Sequence, residues 1–164
     1  MEHGMANDPV DAETATLLRR LSMRYAEGMD RRAPDLVLSA FAEDAVLVVS
    51  PAPGSAMRPT RVVGHRAIAS LPPALEAWAS TVHDVRAATY TVVDGATAEG
   101  LVDCVAHHLT HTPEGTDDRV MHIRYRDRYQ RVGDDWVITE REVDVLEDAT
   151  GPFPGGAAPE DDGR

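Results

Sequence analysis

The sequence contains no lysine, so every fixed positive charge is carried by arginine. It contains one cysteine, Cys104, which excludes an internal disulfide and a cysteine-rich metal centre. Aromatic residues make up only 5% of the chain. No apolar run approaches the roughly 18 residues that a membrane-spanning helix needs, and the first thirty residues carry no secretory signal pattern. Those absences predict a soluble, cytoplasmic protein. Arginine-only basicity also fits a GC-rich bacterial coding sequence. Positive charge is scarce as well: the formal net charge is −12. An acidic surface repels phosphate backbones, so nucleic acid is not an expected partner.

A length of 164 residues suits one domain, and a hydrophobic share of 43% is enough for a real core. Asp8-Pro9 reads as a helix opening, with Asp as N-cap and Pro at the first helical position. Leu17, Leu18, Leu21, Tyr25 and Gly28 then recur at helical spacing, which puts Tyr25 on the buried face and Asp30 at the helix end. Pro34-Asp35 opens a second short helix, with Leu36, Val37 and Phe41 as its stripe. A strand is expected over 45–49, a Pro-rich loop over 50–60, and a third helical stretch after Gly64. From His83 the period changes to that of strands: 83–93, 97–110, 119–132 and 136–145, with turns at Asp94-Gly95 and Gly133-Asp134. Helices first and a meander afterwards is an α+β order. A sharply curved antiparallel sheet wrapped around the N-terminal helices, a cone with an internal cavity, is the expected architecture. Residues 8–148 would form the domain, and the acidic Gly/Pro-rich stretch 149–164 a disordered tail.

Strand alternation sorts the faces. Met121, Ile123, Tyr125, Asp127 and Tyr129 share one face, opposite the polar set His122, Arg124, Arg126 and Arg128. Asp127 is therefore a carboxylate among apolar residues and needs a hydrogen-bond partner or a raised pKa. His83 is grouped with Val85, Ala87 and Thr89, and points inward. His108 is grouped with Val102, Cys104 and Ala106. Arg141 falls with Val137, Thr139 and Val143, and an inward guanidinium needs an anion or carbonyls. His107, His108 and His111 do not share a face, so no metal site is expected.

Three motifs in order carry a family likeness: Tyr25-Ala26-Glu27-Gly28-Met29-Asp30, Phe41-Ala42-Glu43-Asp44-Ala45, and Val63-Gly64-His65-Arg66-Ala67-Ile68. They are followed by His83, by Tyr125-Arg126-Asp127-Arg128-Tyr129, and by Trp136-Val137-Ile138 with Arg141. Over roughly residues 13–145 the chain resembles the SnoaL-like branch of the NTF2-like superfamily. It looks most like scytalone dehydratase, bile-acid 7α-dehydratase and the lindane dehydrochlorinase, which are cofactor-free lyases. The resemblance implies an Asp–His pair, matched here by Asp30 and His83. It implies a polarising Tyr, matched by Tyr25, a late-strand Arg, matched by Arg141, and a middle-strand His, matched by His107 or His108. Tyr25 and Asp127 also resemble the oxyanion hole of ketosteroid isomerase, but no carboxylate stands near Val49-Ser50, where that enzyme keeps its base.

The reaction class expected is a cofactor-independent lyase or isomerase acting on a cyclic hydrophobic molecule such as a polyketide, steroid or xenobiotic. Asp30, His83, Tyr25, Arg141, His108 and Asp127 are the candidate catalytic residues, and Trp78, Tyr125 and Tyr129 the candidate substrate contacts. The family also implies a homodimer or homotrimer. Plainer readings stand beside these: Asp30 as a helix end, Asp127 and Tyr129 as a structural pair, Arg141 as the partner of Asp30 or Asp127, and the whole chain as a non-catalytic small-molecule-binding protein.

Overall fold

The structure, a computed structural model, describes residues 8–154. The first helix, α1 (Ala12–Asp30), is capped by Asp11, whose side chain accepts from the Thr14 backbone N–H at 2.7 Å. The predicted cap at Asp8-Pro9 lies one turn too early. Pro9 instead bridges to Thr91, and the Val92 N–H donates to the Asp8 carbonyl. Leu18, Leu21, Ser22, Tyr25, Ala26 and Met29 form the buried stripe of α1, at the spacing that keeps one helical face inward. Gly28 sits where α2 (Pro34–Leu38) crosses: a Cβ there would come within 2.6 Å of the Val37 side chain. Two further short helices follow, α3 (Gly64–Ile68) and α4 (Leu71–Ala74), then a 3-10 turn over Leu75–Ala77.

The strands are β1 (Phe41–Ser50), β2 (Thr60–Val63), β3 (Ser80–Asp94), β4 (Thr97–Thr112), β5 (Gly115–Val132) and β6 (Asp135–Pro152). They form one six-stranded sheet in the order β2-β1-β6-β5-β4-β3. The expected antiparallel cone is not what forms. β1 runs parallel to β6, so the sheet is mixed, and β2 and β3 are its two unjoined edges, so it is open. The physical reason is connectivity. β3 to β6 are joined by tight turns that force antiparallel pairing, whereas β1 and β6 are separated by the whole meander and are free to align in parallel.

β3 and β6 extend past both expected ends, β4 past its second and β5 past its first, and β6 continues to Pro152, beyond the predicted domain boundary at 148. Residues 155–164 of the predicted tail lie outside the described residues. Two irregularities also redirect faces. Register shifts between Val85 and Ala88, so Ala88 and Tyr90 turn inward instead of Ala87 and Thr89. A second shift, opposite Arg128 and Tyr129, makes Thr139 an extra residue on β6. Trp136 and Ile138 are therefore buried before it, and Arg141 and Val143 after it, in place of Val137 and Thr139.

α1 covers the inner face of the sheet, against β3 and β6. The outer face carries an arginine row on β5 between acids on its neighbours: Arg124 pairs with Asp103 at 2.9 Å, Arg126 with Asp144 at 3.5 Å and Arg128 with Glu99 at 3.3 Å. Exposed pairs of this kind add little stability. A concavity of about 540 Å³ lies on this side, with Val46, Leu101, Arg126, Arg128, Glu99 and Glu142 in its lining.

Candidate active site

At the end of α1 the chain must leave the helix and turn back to the sheet. Arg31 caps the helix and Arg32 adopts a left-handed conformation, φ 52°. That turn aims the Asp30 carboxylate at β3. A carboxylate at a helix C-terminus is opposed by the helix dipole, so it needs local compensation. Three donors supply it. The His83 backbone N–H donates to Oδ2 at 2.8 Å, the Thr81 hydroxyl to Oδ1 at 3.0 Å, and His83 Nδ1 lies 2.6 Å from Oδ1. Arg32 locks the turn from below: its guanidinium donates to the Asp30 and Leu75 carbonyls and to the Thr81 hydroxyl, each at 2.8 Å. Burial alone would raise the Asp30 pKa, but the hydrogen bonds and charge of His83, helped by Thr81, hold it below the ordinary carboxylate value. An ionised carboxylate can only accept, so Nδ1 of His83 carries a proton and Nε2 is left as the basic nitrogen of the neutral ring.

Beside this pair lies a second imidazole. His108, on β4 opposite Thr81, has its ring 5.7 Å from that of His83 and 5.0 Å from Trp78. Both of its nitrogens are buried and without a partner among the described residues. Burial, with the charge of His83 and Arg119 nearby, pushes its pKa down to about 4, so it is neutral at pH 7. His107, the alternative middle-strand histidine, points outward and binds Asp118 at 2.7 Å.

The remaining candidates form another cluster. Arg141 is completely enclosed. Its guanidinium holds Asp127 through Nε at 2.8 Å and Nη2 at 2.6 Å, and Nη2 also donates to the Ser22 hydroxyl at 2.8 Å. Tyr129 donates to Asp127 Oδ2, the oxygen that Nη2 also holds, at 2.7 Å. The guanidinium stacks between aromatic rings, 4.6 Å from Tyr25 and 4.1 Å from Tyr125. Burial would strip Arg141 of its charge, but Asp127 reverses that and raises its pKa. Burial likewise pushes the Tyr25 phenol up to about 12 and Tyr125 and Tyr129 upward, so all three stay protonated.

Strand register measures the gap between the two clusters. His83 stands opposite Ala106, Tyr125 opposite Val102, and Asp127 opposite Gly100. At about 3.4 Å per residue, the His83 and Asp127 levels are roughly 20 Å apart along β4. Asp30, His83, His108 and Trp78 therefore come together at one end. Asp127, Tyr129 and Arg141 lie toward the other, and Tyr25 and Tyr125 between them.

Three participants were not anticipated. Thr81 shares a face with His83 two residues on, and alternation alone could have found it. Ser22 is the one polar residue on the buried stripe of α1. Arg32 has no sequence signal, because its role depends on a left-handed turn at a residue that is not glycine.

The sequence matches the model of the SnoaL-like domain over residues 11–142. The chain belongs to the SnoaL-like family. No curated protein matches it by sequence. Among solved structures, a protein from Kribbella flavida superposes with a TM-score of 0.72 at 22% identity, over 85% of this chain and 95% of the other. A Novosphingobium aromaticivorans protein provisionally named scytalone dehydratase gives 0.66 at 19% identity, over 93% and 96%. Hexachlorocyclohexane dehydrochlorinase from Novosphingobium barchaimii LL02 gives 0.69 at 17%, over 87% and 92%. At these identities the likeness is one of fold. No helix among the described residues is long and apolar enough to cross a membrane.

Proposed function

We propose that this SnoaL-like protein is a cofactor-independent lyase or isomerase, of dehydratase type, acting on a cyclic hydrophobic molecule such as a polyketide, steroid or xenobiotic. The observation that carries the reading is the 2.6 Å contact between Asp30 and His83 Nδ1. It makes Nε2 a base of fixed orientation, and a positioned base is typically worth about 10²–10⁴ in rate. His83 takes the proton next to an activating carbonyl, the C–H pair becomes the new double bond, and the C–O bond breaks. The proton removed from carbon balances the departing hydroxide, so water leaves and the imidazole returns to neutral. Neutral His108 can hydrogen-bond the leaving oxygen, and Trp78 offers an aromatic wall. Tyr25, Tyr125 and Arg141 line the interior beyond. Asp127 is committed to Arg141 and Tyr129, so it has no proton-transfer role in this scheme. Association into a homodimer or homotrimer, with salt-bridged contacts on the outer sheet face, belongs to the same proposal.

The test is a panel of cyclic β-hydroxy ketones offered to the purified protein. His83→Ala and Asp30→Asn should each slow elimination by about two orders of magnitude or more. An unchanged rate in His83→Ala would remove His83 as the base.

A second reading, a small-molecule-binding protein without catalysis, is favoured by one observation: the 540 Å³ concavity lies on the outer sheet face, away from Asp30 and His83. It predicts ligand binding that Leu101→Arg abolishes and His83→Ala leaves intact.

A further inference from the structure

His108 presents a problem of satisfaction. A neutral imidazole offers one N–H and one lone pair, and both ring nitrogens are buried here with neither satisfied among the described residues. A buried polar group in that condition is costly, and each such instance calls for an explanation. What shuts the ring off is identifiable. Trp78 leaves the 3-10 turn in an extended conformation, φ −101° and ψ 143°, and its half-buried indole lies 5.0 Å from the imidazole. On the indole sits a guanidinium: Arg119 Cζ is 5.7 Å from the Trp78 ring centroid. Arg119 is not free to wander. Its Nε and Nη2 form a fork on the Asp148 carboxylate, at 2.9 and 2.6 Å. Asp148 sits on β6 beyond the register shift between His122 and Ile123, at the last residue of the predicted domain. The arrangement reads outward as imidazole, indole, guanidinium, carboxylate, with each group held by the next.

We propose that Arg119 and Asp148 are positioning residues that hold Trp78 over His108, so that the Trp78 indole sets which molecules reach the imidazole. Resting on the lyase reading, this assigns the substrate an apolar ring that replaces Trp78 against His108, followed by an oxygen that satisfies one His108 nitrogen. A bidentate Arg–carboxylate pair is the most geometrically defined ion pair available to side chains, and a stacked guanidinium fixes the plane of the indole beneath it. Lysine would meet neither requirement.

The test needs no substrate, so it stands or falls separately from the catalytic proposal. Diethyl pyrocarbonate acylates neutral imidazole nitrogens that it can reach, and peptide mass spectrometry reads each histidine. Exposed His111 provides the internal reference within the same chain. In the unaltered protein His108 should react far more slowly than His111. Asp148→Asn, at an exposed site, should raise the His108 rate about threefold without moving that of His111, while Asp148→Glu keeps the protection. Arg119→Lys should behave like Asp148→Asn, and Trp78→Ala should give the largest increase. The proposal is overturned if His108 reacts as fast as His111 in the unaltered protein. It is equally overturned if Trp78→Ala unmasks His108 while Asp148→Asn and Arg119→Lys leave its rate unchanged.

Discussion

Two titrating side chains at the site leave separate marks on stability. The Asp30 carboxyl is held below the value it has in the unfolded chain, near 3.9. The stability this contributes is present above that pH and is lost as pH falls through the lower folded value. His108 is also depressed, from 6.5 unfolded to about 4 folded, so the unfolded chain takes up its proton first. Its contribution is complete above pH 6.5 and is lost between 6.5 and 4. Thermal unfolding followed against pH should therefore show a decline in Tm between 6.5 and 4 that His108→Phe flattens, and a further decline below about 4 that Asp30→Asn flattens. A His108→Phe profile parallel to that of the unaltered protein would mean that the imidazole is not buried as described. Site residues were legible in the sequence where alternation or helical spacing placed them. Asp127, Arg141, His83 and His108 all point inward as expected. Pairing was legible in part: Asp30 with His83 and Asp127 with Tyr129 form as read, and of the two partners open to Arg141 the structure takes Asp127. Alternation gives the direction of Arg141 but not which of the two carboxylates it meets, because that depends on β6 lying beside β5.

The elements show where periodicity fails. Inward sets were right along β4 and β5, which carry an unbroken alternation, and wrong beyond Val85 on β3 and before Thr139 on β6. Each failure coincides with an extra residue that flips the faces, and nothing in Arg86-Ala87 or Thr139-Glu140 announces one. The same rows of side chains explain Gly100. A Cβ there would come within 2.7 Å of Tyr90 and 3.0 Å of the Tyr129 hydroxyl, the group that donates to Asp127. Gly100→Val should cost about 1–3 kcal/mol in urea unfolding, by overpacking this corner. Breaking the enclosed ion pair should cost more. Arg141→Met leaves Asp127 buried with only Tyr129, a loss of about 3–5 kcal/mol on the same assay. A loss under about 1 kcal/mol for Arg141→Met would show that water reaches that carboxylate.

For the whole molecule, the α+β class and the sequence of helices before a meander could be read from the sequence, though β2, which follows the expected Pro-rich loop, could not, and the family likeness over residues 13–145 coincides with the SnoaL-like match over 11–142. That the sheet stays open and holds a parallel pair could not. A strand pattern reveals which side chains are buried but not which distant strand lies alongside, and β1 meets β6 across nearly the full meander. The result is a chemical division along one inner face. One end is built rigidly from an ion pair, stacked rings and a helix serine. The other keeps an oriented imidazole and an unsatisfied one, the less stable arrangement expected where a molecule is to be received.

The proposed chemistry depends on which nitrogen of His83 carries the proton when the ring is neutral. Nitrogen-15 NMR of the imidazole side chains at pH 8 measures this directly. The account predicts that His83 is the Nδ1–H tautomer, with a strongly deshielded Nδ1 proton that Asp30→Asn abolishes. An Nε2–H tautomer, or a His83 spectrum indifferent to Asp30→Asn, would contradict it.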